Sequence, residues 1–225
     1  MEIQGWMTEG ELTFLHRLAC SMPPGANVVE VGSWKGRSTV AICEGLAGIS
    51  DARLSAVDTF RGTDNSTVMH GRHGAELAED QVYLDFLANT KAYPFVEVIR
   101  DTSVGASAAF ANSSIDWLFL DADHTFEQVR LDISSWYAKV KPGGIISGHD
   151  YAKFDVNRAV DTYLRGVSSC ETVWHVRRPQ TGLGFNPMPF LAGKVRTSLR
   201  SAPGLERRTR ELWLRARGRR ASSRA

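Results

Sequence analysis

The chain has 225 residues, 43% of them apolar, and a formal net charge of +2. That length and composition suit one soluble α/β domain with a full core, and no apolar run reaches the length of a membrane span. Cys20, Cys43 and Cys170 are too scattered for a disulfide framework or a metal knuckle, and the start Met1-Glu2-Ile3-Gln4-Gly5 has no signal-peptide core, so a reducing cytoplasm is the expected compartment.

Charge divides the chain. Residues 194–225 hold 11 basic and 2 acidic residues, a net +9, which leaves −7 on residues 1–193 from the total of +2. The expected organisation is a domain over 1–193 and a basic tail over 194–225, partly helical or disordered, with 198–204 as the linker. Leu205, Leu212, Trp213 and Leu214 interleave the arginines, so the tail could rest on an anionic membrane surface, touch nucleic acid or fold onto the acidic body.

In chain order, Thr8 and Glu11 form a capping-box pattern that opens a helix over 8–20. A strand follows at 27–31 and a helix at 36–47. Leu54 to Val57 is a second strand ending at Asp58. A polar stretch over 61–74, with His70, Arg72 and His73, has no apolar period and reads as a lid or a solvated loop. A helix over 78–91, a strand over 95–99 and a short helix over 104–111 come next. Ile115 to Leu120 is the fourth strand, and Thr125 with Gln128 makes a second capping box for the helix after it. Lys141-Pro142-Gly143-Gly144 stops that helix, and Ile145 to Gly148 is the fifth strand. Asp155 is the expected N-cap of a helix over 156–165, with Gly166 at its end. Two further strands are expected at 171–176 and 181–186. This alternation predicts a Rossmann-like, doubly wound, mostly parallel seven-stranded sheet with helices on both faces. Right-handed crossovers place the strand C-termini on one edge, where ligands bind, and Glu30, Asp58, Asp101, Asp121 and Asp150 fall there.

The turn after the first strand, Glu30-Val31-Gly32-Ser33-Trp34-Lys35-Gly36-Arg37-Ser38-Thr39, is the most informative segment. A P-loop needs a longer glycine spacing and a Gly-Lys-Ser/Thr end, and Arg37 stands there instead. A dinucleotide fingerprint needs a glycine where Trp34 stands, so a pyrophosphate could not approach. S-adenosylmethionine has no phosphate to cradle and needs a close turn with acceptors for an ammonium and for ribose hydroxyls.

These residues resemble the first motif of class I S-adenosylmethionine-dependent methyltransferases, and in particular a small bacterial branch that includes macrolide-sugar O-methyltransferases and cephalosporin-hydroxylase-like proteins. Ala56-Val57-Asp58-Thr59-Phe60 resembles the second motif of that family. Ile115 to His124 resembles its fourth-strand motif and Lys141 to Tyr151 its fifth, so the resemblance covers about residues 8–190. It implies that Glu30, Gly32 and Ser33 line the methionine part of the cofactor, with Trp34, Gly36 and Ser38 also in the cofactor site. It places Asp58 at the ribose, Asp101, Thr102 and Ser103 near the adenine, and Thr59, Phe60 and Asp121 among the cofactor-binding residues. Trp34 and Phe60 would sandwich cofactor or substrate; the plain alternative is that both are core.

Methyl transfer to a hydroxyl needs a base, or a metal that acidifies the oxygen. The resemblance implies His124, three residues after Asp121, as base, with Asp121 and His149 beside it. It also implies Mg²⁺ on Asp121 and Asp150, although His149 stands where metal-dependent relatives carry an acid. The expected activity is O-methylation of a hydroxylated small-molecule acceptor, a sugar or secondary metabolite, with homo-oligomerisation left open. The rival readings are a nucleic-acid methyltransferase docking through the tail, against which no Asn-Pro-Pro-Tyr-type motif follows the fourth strand, and a non-catalytic cofactor-binding accessory protein.

Overall fold

The computed structural model describes residues 3–61 and 80–179. The 62–74 part of the polar stretch, the 181–186 strand and the basic tail lie outside the described residues. The elements are α1 (Glu9–Cys20), β1 (Asn27–Val31), α2 (Arg37–Leu46), β2 (Arg53–Val57), α3 (Gln81–Thr90), β3 (Val96–Ile99), α4 (Ser103–Ser107), β4 (Ile115–Leu120), α5 (Phe126–Trp136), a 3-10 turn over Tyr137–Lys139, β5 (Val140–Gly148), α6 (Phe154–Tyr163), β6 (Ser168–Cys170) and β7 (Val173–Arg177).

The sheet runs β3-β2-β1-β4-β5-β7-β6, with the first five strands parallel and β7 antiparallel to both β5 and β6. Strands buried on both faces read as continuous apolar runs, and the period of two divides each run between two cores. Val29, Val31, Leu118, Leu120 and Ile146 face Val129, Ile133 and Trp136 of α5 and Val156, Ala159 and Val160 of α6. Val28, Leu54, Trp117, Phe119 and Ile145 face Leu15 and Ala19 of α1 and Ile42, Cys43 and Leu46 of α2. The one polar handle deep in this core is satisfied: Trp117 Nε1 donates to Ser147 Oγ at 2.7 Å.

Five expectations change. The fifth strand begins at Val140, because Gly143 N and Arg178 N exchange hydrogen bonds with Arg178 O and Gly144 O, so the Lys-Pro-Gly-Gly segment joins the sheet instead of only ending a helix. The expected 171–176 strand is a hairpin, β6–β7, turning through Glu171 at φ 48°. Asp155 does not cap α6: Lys153 is the N-cap residue, and Asp155 pairs with Arg158 at 3.3 Å inside the first turn. The short helix after the third strand starts and stops earlier than expected, at Ser103–Ser107, with Thr102 as its cap. At α5 only half of the second capping box forms: Thr125 accepts from Gln128 N, and the Gln128 side chain turns to Asp132 at 3.0 Å. The box at α1 is complete, with Thr8 N donating to Glu11 and Glu11 N to Thr8.

Candidate active site

The parallel ladder runs one residue past each strand and fixes the start of the edge. Gly32 N donates to Val57 O, Asp58 N to Ile99 O, Asp121 N to Val31 O and His149 N to Leu120 O, at 2.7–3.1 Å. The chain then turns sharply. Trp34 (φ 42°), Phe60 (φ 55°) and Asp150 (φ 59°) all sit in the left-handed region just past β1, β2 and β5. Non-glycine residues held there are strained and gather at functional edges. The strand order reverses between β1 and β4, which opens the crevice where such sheets bind ligands. Gly32 lies in that crevice at φ 89°, and a Cβ on it would sit 2.3 Å from the Asp121 carbonyl oxygen, so only glycine fits.

At the glycine turn, the Glu30 carboxylate points inward and is fully buried. Ser33 Oγ donates to it at 2.8 Å, Ser38 Oγ at 2.6 Å and Thr39 through a short bond. Burial outweighs these three donors and pushes its pKa up to about 7. Glu30, Ser33 and Ser38 thus brace the turn from within, and their side-chain polar atoms are spent on one another. Asp58 pins the turn from outside: its Oδ2 accepts from Ser33 N and Trp34 N, both at 2.8 Å, and its Oδ1 from Phe60 N at 2.7 Å. A carboxylate has about four acceptor positions, so with three backbone donors Asp58 keeps about one more. Thr59 Oγ1 accepts from Arg61 N. The Phe60 ring is buried and packed on Tyr83 and Phe86 of α3. Trp34 stacks on Trp6 with ring centroids 4.4 Å apart, and its buried Nε1 has no hydrogen-bond partner among the described residues. Gly36 begins α2 at φ 87°, tight against Phe86 and Thr90. Asp101 Oδ1 accepts from Thr102 N, the cap residue of α4, and Ser103 Oγ accepts from Trp136 Nε1.

The two cations of this turn face away from the crevice. Arg37 holds Ile3 O and Glu9, both at 2.9 Å, and Lys35 holds Asp85 at 2.8 Å. Nothing basic in the turn is left for a phosphate. The edge instead offers the Asp58 carboxylate and the unpartnered Trp34 indole N–H. That donor set fits S-adenosylmethionine, a cationic ligand with ribose hydroxyls and no phosphate.

At the ends of β4 and β5 the chemistry differs. His124 Nε2 lies 2.7 Å from Asp150 Oδ2 and 3.7 Å from Asp121 Oδ1. His149 Nδ1 lies 3.5 Å from both carboxylates, and its Nε2 lies 3.2 Å from Glu11 Oε2. Lys153 Nζ is 2.6 Å from Asp150 Oδ2. Burial pulls both histidines down, but the carboxylates outweigh it and raise His124 to about 9 and His149 to about 11. Burial alone would raise Asp150, yet His124, His149 and Lys153 hold it well below the usual carboxylate range. Asp123 accepts from Thr125 N at 2.6 Å and so serves the start of α5.

The sequence thus located Asp121, His124, His149 and Asp150, which the fold brings together. It missed Glu11 and Lys153. Lys153 stands three residues after Asp150 and was readable as a local ion pair; Glu11 looked only like a helix cap. Asp121, His124 and Asp150 could place one ligand atom each within 4.8 Å of one another. Mg²⁺ does not fit this donor set, since Asp150 Oδ2 already faces three basic nitrogens and imidazole is a poor ligand for a hard cation.

This fold and this edge define a class I S-adenosylmethionine-dependent methyltransferase. Within that class the chain belongs to the methyltransferase-domain family, whose family model matches residues 29–151. Over 125 residues it is 29% identical to an uncharacterized protein, y4gI, of Sinorhizobium fredii; the match takes in 55% of this chain and only 13% of that protein. Among solved structures it is similar to cofactor-bound Rv0187 from MTB (TM-score 0.55, 16% identity, 80% of this chain and 85% of that one). It is also similar to an O-methyltransferase from Bacillus cereus in complex with SAH (TM-score 0.51, 18% identity, 76% and 82%). At these identities the likeness to the two structures is one of fold.

Proposed function

We propose that this chain transfers the methyl group of S-adenosylmethionine to a hydroxyl oxygen of a small molecule, with a sugar or secondary-metabolite hydroxyl favoured. The observation that supports this reading is the imidazole–carboxylate cluster of His124, Asp121 and Asp150 beside the glycine turn. Bound S-adenosylmethionine would supply an electrophilic methyl carbon. The Gly32–Gly36 turn and Asp58 would hold it, and the Asp58 carboxylate would favour its positive charge. A hydroxyl oxygen attacks well only if its proton has somewhere to go.

His124 is the most exposed member of the cluster, 39% accessible, and so the one an acceptor can reach. It can take the proton only when neutral. With its pKa raised to about 9, about one molecule in a hundred has His124 neutral at pH 7. On this reading turnover climbs roughly tenfold per pH unit from 7 and levels off near 9. Two measurements test the proposal. Calorimetry should show binding of S-adenosylmethionine and none of a nicotinamide dinucleotide. Labelled S-adenosylmethionine, offered with metabolite mixtures, should mark a hydroxylated product with that alkaline pH profile. A nitrogen- or carbon-methylated product, or unchanged turnover in His124→Gln, would overturn the assignment.

A further inference from the structure

His149 occupies an unusual place for a histidine. Both of its ring nitrogens face carboxylate oxygens: Nε2 faces Glu11 from α1, and Nδ1 faces Asp121 and Asp150 from the ends of β4 and β5. A neutral imidazole has a lone pair on one nitrogen and would turn it against an anion. The ring is only 7% exposed on its side chain, and Glu11 only 2%, so water does not screen the arrangement. Glu11 is itself locked, accepting from Thr8 N at 2.9 Å and Thr172 N at 3.1 Å, which holds its carboxylate 3.2 Å from the ring from a point remote in sequence.

The charges in the cluster balance. Glu11, Asp121 and Asp150 are three anions; protonated His124, protonated His149 and Lys153 are three cations. Asp150 Oδ2 alone receives His124 at 2.7 Å, Lys153 at 2.6 Å and His149 at 3.5 Å. A divalent ion reaching this oxygen would enter a cluster that is already neutral and would have to expel protons or the lysine. Two half-buried carboxylates with oxygens within 4.8 Å of one another favour a positive charge between them.

We propose that the His149 imidazolium, tethered by Glu11 and joined by Lys153, is the resident counter-cation of the Asp121–Asp150 pair, so that this site excludes a divalent metal and works without one. His149 and Glu11 are positioning residues in this scheme, keeping the two carboxylates in register for His124.

The test needs neither an acceptor nor turnover, so it stands apart from the fate of the O-methylation reading. Electron paramagnetic resonance of Mn²⁺ titrated with the full chain at neutral pH reports uptake of a hard divalent cation directly. The wild-type protein is expected to leave the free Mn²⁺ signal unchanged at millimolar ion. Uptake by the wild type that is lost in Asp150→Asn would overturn the proposal. His149→Asp replaces the internal cation with a third carboxylate, and a folded variant, checked by circular dichroism, is expected to take up Mn²⁺ and to release it to EDTA. A folded His149→Asp that takes up none would remove the excluding role from His149. Should that variant fail to fold, the wild-type and Asp150→Asn titrations decide the matter alone.

Discussion

Two carboxylates on the same edge meet opposite fates. Glu30, at the end of β1, is fully buried and meets only hydroxyls, and its pKa rises to about 7. Asp150, just past β5, is largely buried and meets two imidazoles and an ammonium, and its pKa falls far below the carboxylate range. Hydroxyl donors neutralise no charge, so they only partly offset the loss of water; cations reverse it. The glycine turn is therefore a structural brace that is close to half neutral at physiological pH. The β4–β5 end is a standing set of charges. On the proposed reading, one end shapes the cofactor crevice and the other supplies polarity to the acceptor side.

The largest expected effect comes from emptying the brace. Glu30→Ala leaves the hydroxyls of Ser33, Ser38 and Thr39 without their acceptor and opens a cavity, at a cost of about 3–5 kcal/mol in urea unfolding. Glu30→Gln keeps an acceptor oxygen and the volume and should cost about 1 kcal/mol. Equal losses in the two variants would mean that the charge, and not the shape, holds the turn.

The pH dependence of stability separates the two ends next. Glu30 has its folded pKa raised from 4.5 to about 7, so its contribution is full below 4.5 and fades as pH rises through 7, a change of about 3 kcal/mol. His124 is raised from 6.5 to about 9, so its contribution is full below 6.5 and fades through 9. Unfolding free energies across pH should therefore flatten between 4.5 and 7 in Glu30→Gln, and between 6.5 and 9 in His124→Gln. A flattening in the wrong window for either variant would dissolve the contrast.

How much of this was legible in the chain follows from how far each signal travels. The alternation of strand and helix, the Thr8 capping box and the carboxylates at strand ends are local patterns, and the strands at 27–31 and 115–120 fall where they were expected. Phe60 looked like a cofactor platform because its neighbours Asp58 and Thr59 match a cofactor motif. Its partners, Tyr83 and Phe86, come from a helix more than twenty residues on, and they make it core. The start of β5 at Val140 was hidden because Pro142 and Gly143 read as a break. Arg178, which pairs with Gly143 and Gly144, is a partner that no local period reveals. Glu11 lies 161 residues from Thr172 and joins the cluster around His149 only through the fold.

A smaller effect tests the cofactor end. Asp58→Asn loses one of the two oxygens that hold Ser33 N, Trp34 N and Phe60 N and the acceptor left for a ribose hydroxyl. S-adenosylmethionine affinity should fall about tenfold by calorimetry, the worth of about one hydrogen bond. The alkaline limb of the pH profile, which belongs to the other end, should stay in place.

The smallest effect concerns Lys153, whose side chain is 41% exposed. Its ammonium acts on His124 in two ways of the same sign. It repels the imidazolium directly, and it occupies the Asp150 oxygen that would otherwise serve His124 alone. Lys153→Met removes both influences, so the His124 pKa should rise and the alkaline limb of turnover should move up by less than about one pH unit. Stability should change by less than about 1 kcal/mol, since an exposed ion pair contributes little. A downward shift of the limb would mean that Lys153 acts on the acceptor and not on His124, and that the charged end of the edge is built for substrate rather than for its own balance.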